Sequence, residues 1–557
     1  MGIPGLWDIL RPAGKSRSLT HLTVVDGFLR NSSGKRAYRI GIDASIWFFH
    51  ANGGQGGENP ELRTLYFRCC RLLSLPILPL FVFDGALRPS QKRGKHIGKN
   101  QHWLVSGMRE IIDAFGFEWW TAPGEAEAEL AYFNDIGVID AILSDDVDNF
   151  LFGAKVVIRN PSATLTGTQT HVRKTGQEEK DDGQHVVIYR AADIESHPDV
   201  GLRRGGLILI GLMSGGDYNT TGLMGIGTSI AHALAKCGYG DQLVDHLEQL
   251  KDNKSHIPIA LEAWREAVRR DLRGPSRVTE LLKRRFPAKA KAITDDFPVI
   301  QDVCSYAAPV TSFTLNRDIT MIQWTKKPNL GKIAGLCERH FEWGVREVII
   351  KRFRTTVWQG AVLRALIGAV LKQDEKSTPT STPRKRPSPN VPVTPSTRLA
   401  DAFRQLHATS PSRPTQPGQA STQEALVSNV SHGGKASETI ANIDVSKLIL
   451  RIHSSRTHPS TDDMLEYRLE IDPGQLVTQA HTGIQDTRLG PDAILDPNFE
   501  DLDSDEEGAQ KAKKPPPDPL STLRIWTPAV IVKMACPELV EEFEALQEAK
   551  AAKKATK

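Results

Sequence analysis

The segment Gly124-Glu125-Ala126-Glu127-Ala128-Glu129 and, shortly after it, Ser144-Asp145-Asp146-Val147-Asp148 set six carboxylates into apolar-flanked chain. Like charges this dense beside a core repel one another unless cations neutralise them. Hard carboxylate oxygens suit Mg2+ or Mn2+. A solvated acidic helix face is the competing reading of this stretch taken alone. Spacing sharpens the choice of ligands. On a regular helix Glu125 and Glu129 share a face whereas Glu125 and Glu127 do not. If Pro123-Gly124 leaves Glu125 at an irregular helix entrance, Glu125 and Glu127 can reach one site and Glu129 is left solvated.

The elements that must position these acids read as a strand–helix alternation. Tyr38–Asp43 and Leu78–Asp84 are near-continuous apolar strands ending on an acid, and Ala141–Ser144 runs into Asp145, Asp146 and Asp148. Segments of helical period, 61–75 and 104–115, lie between them. That order predicts an α/β fold with a mainly parallel sheet and helices on both faces. Ligands of such sheets bind beyond the carboxyl ends of the strands, where Asp43, Asp84, Asp146 and Asp148 would converge. A lone Asp after a strand is ordinarily a cap or turn residue; three such strand ends plus a Glu-rich helix entrance favour a metal site. Farther on, the apolar helix 207–213 ends in Ser214-Gly215-Gly216-Asp217-Tyr218, making Asp217 a further candidate ligand. The glycine turn 222–227, with Gly225 and Gly227, precedes a small-residue helix opening at Thr228. Such a turn lets backbone amides approach a phosphate or carbonyls hold an ion. A basic cluster from Arg269 to Lys291, including Lys283, Arg284 and Arg285, is placed to steer a duplex backbone.

The 557 residues leave room for two or more domains. Hydrophobic content of 39% and charged content of 24% fit a globular chain carrying some disordered sequence, and the net charge of +4 discriminates little. The six cysteines form no CxxC pair, which argues against a disulfide framework or zinc site and for a reducing compartment. No apolar run approaches the ~18 residues of a spanning helix, so a soluble intracellular chain without a membrane role is expected. Residues 372–442 are rich in Ser, Thr and Pro and read as a disordered linker. Within it Thr382-Pro383-Arg384-Lys385 matches a proline-directed kinase site, and 383–387 reads as a candidate nuclear import signal. The expected location is therefore the nucleus, with regulated shuttling to the cytoplasm. From 443 to 548, strand alternation at 447–453, 464–471 and 522–533 and an acidic helix, 537–547, predict a small β-plus-α module. An acidic insertion at about 485–520 interrupts it and a basic tail, 549–557, follows.

Taken in order, MGIPGLWDIL, RIGIDASIW, FVFDG, PGEAEAE, SDDVDNFLFG, GGDY and GLMGIG resemble the signature regions of the XPG/flap-endonuclease superfamily of structure-specific nucleases. The likeness covers roughly residues 1–370, divided as a PIN-like nuclease core, 1–205, and a helix-two-turn-helix with helical DNA-binding extension, 206–371. The carboxyl-terminal module resembles a chromodomain. The resemblance implies a two-ion Mg2+ or Mn2+ site built by Asp43, Asp84, Glu125, Glu127, Asp146, Asp148 and Asp217, with Glu129 outside it. It also implies that Gly2 lies close to that site, that Lys92 and Lys99 approach the scissile phosphate from a helix after FDG, and that the glycine turn binds duplex through K+. The span from Asp84 to Glu125 is too short for the helical arch that threads a free 5′ end. Together with the chromodomain-like module, this resembles the junction-resolving branch of the family, which implies action on four-way junctions as a homodimer, otherwise as a monomer, and also on 5′ flaps and forks. A monomeric 5′ flap endonuclease is the alternative reading, and a non-catalytic junction-binding scaffold is the reading of another class. Few aromatics in 446–548 argue against a methyl-lysine cage and for DNA or domain contacts.

Overall fold

The computed structural model describes residues 2–53, 56–98, 101–159, 184–249, 256–377, 443–488 and 518–555. In chain order the elements used below are α1 (Leu6–Leu10), β1 (Lys15–Ser18), β2 (Tyr38–Asp43), α2 (Ala44–Ala51), α3 (Pro60–Leu73), β3 (Ile77–Phe83), β4 (Gln91–Lys92), β5 (Lys95–His96), α4 (Leu104–Ala114) and β6 (Glu118–Thr121). They continue with α5 (Ala126–Asp135), β7 (Ala141–Leu143), α6 (Asp148–Leu151), β8 (Val156–Arg159), β9 (His185–Arg190), α7 (Arg204–Ser214), α8 (Thr228–Lys236), α9 (Tyr239–Gln249), α10 (Ile257–Arg273) and α11 (Ile300–Ala307). The last group is α12 (Leu330–His340), α13 (Arg346–Thr356), α14 (Trp358–Ser377), β10 (Ile449–Arg456), β11 (Glu466–Ile471), α15 (Gly474–His481), β12 (Leu523–Pro528), α16 (Ala529–Ala535) and α17 (Pro537–Ala555).

Seven strands form one sheet in the order β1-β9-β8-β7-β2-β3-β6. The run β8-β7-β2-β3-β6 is parallel, whereas β9 and β1 pair antiparallel at one edge. The period-two geometry of a strand sends alternate residues to opposite faces, and here each face has its own core. Ile77, Phe81 and Phe83 of β3, with Ile40, Ile42 and Leu143, enter one cluster with α2, α3 and α4. Leu80, Val82 and Ile142 enter the other, with α1, α5, α7, α8 and α11.

The second half of the chain divides differently from the sequence expectation. Helices α7–α11 cover the second face, but α12–α14 cross to the first, where Leu330, Leu366 and Val370 pack with Leu65 and Leu73 of α3. Helix α7 begins before residue 206 and α14 runs past residue 371. The carboxyl-terminal module, built on the sheet β10-β11-β12, shares that first core through Leu448, Leu469 of β11, and Ile531 and Val532 of α16. It is also bolted to the nuclease sheet. Asp462 accepts from Ser18 N (2.9 Å) and lies 2.8 Å from His185 Nε2, while Glu338 of α12 accepts from Gln485 N and Thr487 N, both at 2.8 Å. The expected single strand at 522–533 is β12 followed by α16, and the residues expected as a tail continue α17 to Ala555. The module's aromatics are committed to packing: Tyr467 meets Phe543, and Trp526 carries Arg456 on its face at 4.0 Å. Among the described residues no aromatic cage is formed there. Residues 378–442, Thr382 included, lie outside the described residues.

Candidate metal centre

Five chain segments bring acids together beyond the carboxyl end of the sheet. Asp43 ends β2 and accepts from Ser45 N at 2.7 Å, so it caps α2 while facing the site. Ser45 Oγ donates to Asp84 Oδ2 (3.0 Å), and the other Asp84 oxygen accepts from Ala126 N (2.9 Å) at the entrance to α5. Gly85 makes this juncture possible. A Cβ there would lie 1.9 Å from Ala122 O and 2.3 Å from Pro123 O, so only glycine lets β3 lie against the Pro123-Gly124 turn. That contact brings Asp84 beside Glu125.

The same turn resolves the Glu125/Glu127 spacing. Glu125 is the residue before α5, in extended backbone (φ −81°, ψ 140°), and Glu127 lies in the first turn of the helix. Helical periodicity therefore does not govern the pair, and both reach the site. Glu129, expected to be solvated, is instead fully buried outside the site: it accepts from Trp120 Nε1 (2.9 Å), Ser312 N (2.7 Å) and Ser312 Oγ. Those donors satisfy a carboxylate that burial alone would penalise, which makes Glu129 a bolt between α5 and the 308–315 segment.

Asp146 and Asp148 follow β7. Asp148 N donates to Asp146 Oδ1 (3.0 Å), and Ile3 N donates to Asp148 Oδ1 (3.3 Å), bringing the amino terminus to the site. Gly2 lies there too, its Cβ position 2.4 Å from Asp146 Oδ1. Asp217 follows α7. All but Asp84 of the seven acids are buried.

What holds these acids together here is an ammonium. Lys92 Nζ lies 2.8 Å from Glu125 Oε1, 2.7 Å from Glu127 Oε2 and 3.0 Å from Asp217 Oδ2. Arg93, which the sequence reading missed, pairs with Asp217 through Nε, and its backbone N–H donates to Asp217 O at 2.7 Å. The two cations stand on a hairpin, β4–β5, whose turn takes Arg93 and Gly94 through positive φ. This corrects the expected helix for Lys92; Lys99 lies outside the described residues. Among the described residues, no three acidic, His or Cys side chains already close on a single point as an ion cage, and Lys92 occupies the middle of the group. The donor set nevertheless fits divalent ions. It is all oxygen, it carries more negative charge than Lys92 and Arg93 neutralise, and Asp148 Oδ2 is buried with no hydrogen-bond donor.

The protonation behaviour follows from crowding. Burial, then the neighbouring Asp84, pushes Asp43 up to about 7. Burial also raises Glu127, Asp146 and Asp148. Burial pulls Asp217 upward as well, but Lys92 and Arg93 outweigh it and hold its carboxyl below the usual range. Lys92 is desolvated, yet Glu127, Glu125 and Asp217 outweigh that cost and keep it firmly protonated. Because Asp43 titrates higher in the folded state than its usual 3.8, its contribution to stability is complete below that value and disappears as pH rises through about 7. Divalent ions compete with the same proton. Added Mg2+ is therefore expected to raise Tm more at pH 8 than at pH 6 relative to EDTA-treated protein. Equal shifts in differential scanning fluorimetry would contradict this.

The glycine turn lies between α7 and α8, with Leu223 N bonded to Met213 O (2.8 Å) and Gly227 at the amino end of α8. Thr228 opens α8, and Met224 at the tip is 91% exposed. Lys283, Arg284 and Arg285 are exposed after α10, with Arg284 over Phe286 at 4.5 Å. Tyr218 was also missed: its hydroxyl donates to Glu125. Its position next to Asp217 was the available signal.

Comparison with known proteins agrees with this geometry. Residues 1–102 match the XPG N-terminal domain, residues 116–217 the XPG I-region, and residues 448–546 the Holliday junction resolvase Gen1 C-terminal domain. The chain belongs to the XPG/flap-endonuclease family, with the carboxyl-terminal domain of its Gen1 branch. It is 30% identical over 279 residues to the flap endonuclease GEN-like 1 of Arabidopsis thaliana, an alignment covering 45% of this chain and 41% of that protein. The chain thus aligns with less than half the length of the plant and mammalian GEN relatives it matches. A solved structure of the Holliday junction-resolving enzyme GEN1 with product DNA and Mg2+ superposes with TM-score 0.62 at 25% identity, covering 98% of this chain and 100% of that one. A GEN-1 structure binding potassium gives the same TM-score, identity and coverage.

Proposed function

We propose that this chain is a structure-specific endodeoxyribonuclease that resolves four-way DNA junctions by paired nicks near the branch point and also cuts 5′ flaps and forks. The observation that carries the reading is the convergence of seven carboxylates at the sheet's carboxyl end, in a chain that matches a product-bound GEN1 along almost its whole length. Two divalent ions, Mg2+ or Mn2+, would supply charge neutralisation at the scissile phosphate and acidify the attacking water. Asp43, Asp84, Glu125, Glu127, Asp146, Asp148 and Asp217 would hold them. Lys92, amid Glu125, Glu127 and Asp217, and Arg93 beside Asp217 supply the cations that a phosphodiester entering the site needs. The turn through Gly225 and Gly227 and the start of α8 would grip duplex backbone, the turn being where K+ would be held, and Lys283, Arg284 and Arg285 would extend that grip. Contacts of this kind position DNA without reading sequence.

Among the described residues the segment from Leu87 to Lys92 and on to His96 is a short hairpin, with no helix between β3 and α4. A low rim of this sort suits continuous strands better than a threaded 5′ end. Two symmetric cuts need two sites, so two copies act on one junction and one copy suffices for a flap. The working compartment is the nucleus. A denaturing-gel assay with Mg2+ on immobile four-way, fork and 5′-flap substrates tests this: paired symmetric nicks in the four-way junction are expected. Efficient flap cutting with an intact junction would instead support a monomeric flap endonuclease, a reading favoured by the name of the Arabidopsis relative.

A further inference from the structure

We infer that Tyr306, outside the seven carboxylates and far from them in sequence, is a positioning residue that fixes the spacing of the ion-holding acids. The inference rests on the divalent-ion reading above.

Tyr306 lies on α11 and is 2% exposed. Its hydroxyl oxygen accepts from Asp217 N at 3.0 Å. Its ring lies 4.6 Å, centroid to centroid, from that of Tyr218, whose hydroxyl donates to Glu125. One side chain thus holds two acids from different segments, Asp217 through its peptide and Glu125 through Tyr218, whose ring packs against it at an interplanar angle of 59°. The backbone beneath is held equally. Arg204 donates to Tyr306 O at 2.8 Å and to Ala307 O at 3.1 Å, and its Nε donates to Leu151 O at 2.8 Å. Leu151 closes α6, the short helix that begins at Asp148. Asp148, Arg204, Tyr306, Asp217, Tyr218 and Glu125 therefore form one braced chain around the site. Gly216 fits the same picture, since a Cβ there would lie 2.5 Å from the Tyr306 hydroxyl.

The purpose of such a brace follows from the charges. Mutually repelling carboxylates spread apart unless their backbone is held, and outer partners that orient ligands set ion affinity rather than supply chemistry. A ring that only filled the core would need no hydroxyl aimed at the Asp217 peptide. Tyr306→Phe keeps the ring and removes that acceptor, and Tyr218→Phe breaks the next link.

The experiment measures Mn2+ binding to the full-length protein by electron paramagnetic resonance, the Mg2+ dependence of junction cleavage, and junction affinity without divalent ions. Tyr306→Phe is expected to weaken Mn2+ binding about tenfold and raise the half-saturating Mg2+ concentration similarly, with kcat at saturating Mg2+ within about threefold of wild type. Junction affinity without divalent ions should stay unchanged. Tyr218→Phe should shift in the same direction, and the double variant should fall short of the product of the single effects, as expected for linked partners. Unchanged Mn2+ affinity in a folded Tyr306→Phe protein, or a loss confined to DNA binding, would overturn the inference. Wild-type protein that binds no Mn2+ would instead remove the divalent-ion reading itself.

Discussion

Replacing Glu127 or Asp43 by alanine is expected to reduce four-way-junction cleavage at least ~10³-fold while leaving junction affinity within about threefold. The first figure follows from removing an ion ligand: several kcal/mol of charge stabilisation are lost, and about 1.4 kcal/mol is a decade in rate. The second follows from location. Duplex grip is assigned to the glycine turn and the exposed cations Lys283, Arg284 and Arg285, none of which contacts the buried acids. The fold should tolerate Glu127→Ala well without divalent ions, because removing one member of a repelling group relieves its neighbours. Asp43→Ala carries a separate cost of about 1 kcal/mol, since Asp43 also caps α2 through Ser45 N. Cleavage within tenfold of wild type for either variant would refute the site.

Deleting the carboxyl-terminal module, residues 443–557, is expected to abolish folding of the remainder rather than trim a dispensable appendage. Leu448, Leu469, Ile471, Ile531 and Val532 are buried in the same core as α3 and α12–α14. Each such side chain contributes about 2 kcal/mol by burial, and the facing residues of α14 would be uncovered as well. The loss is therefore comparable with the ~5–15 kcal/mol that separates most folded proteins from unfolding. The polar bolts at Asp462 and Glu338 would go too, leaving their buried partners without hydrogen bonds. The 1–442 fragment should be insoluble alone and recoverable when 443–557 is co-expressed. A soluble, monomeric fragment with wild-type Tm would show that the shared core contributes little.

Much of the site was legible because strand physics places acids predictably. Tyr38–Asp43 is observed with the expected bounds, and Asp43, Asp84 and Asp146 fall at parallel strand ends as the apolar runs implied. Glu125 and Glu127 were less legible. Only the extended backbone at Glu125 brings both to one side, and that depends on the Gly85 contact with residues across the turn. Glu129 was misjudged because an acidic residue on a helix reads as solvated, while its partners Trp120 and Ser312 come from elements whose approach no local pattern encodes. Tyr306 is invisible for the same reason. Lys92 came from the family resemblance, which also supplied the helix, and residues 86–98 carry no periodicity that would have pointed instead to the Arg93-Gly94 turn. The integration of the carboxyl-terminal module was hidden too. A long Ser/Thr/Pro-rich stretch suggests separation, yet the apolar faces on either side of it are complementary.

The most direct test is cleavage of a supercoiled plasmid extruding a cruciform, with Mg2+ and protein in excess. Paired incision of one junction by two copies predicts linear plasmid from the earliest time points, because both cuts occur before the complex dissociates and the cruciform is lost. Nicked circles as the sole product, with linear plasmid never formed, would contradict the account.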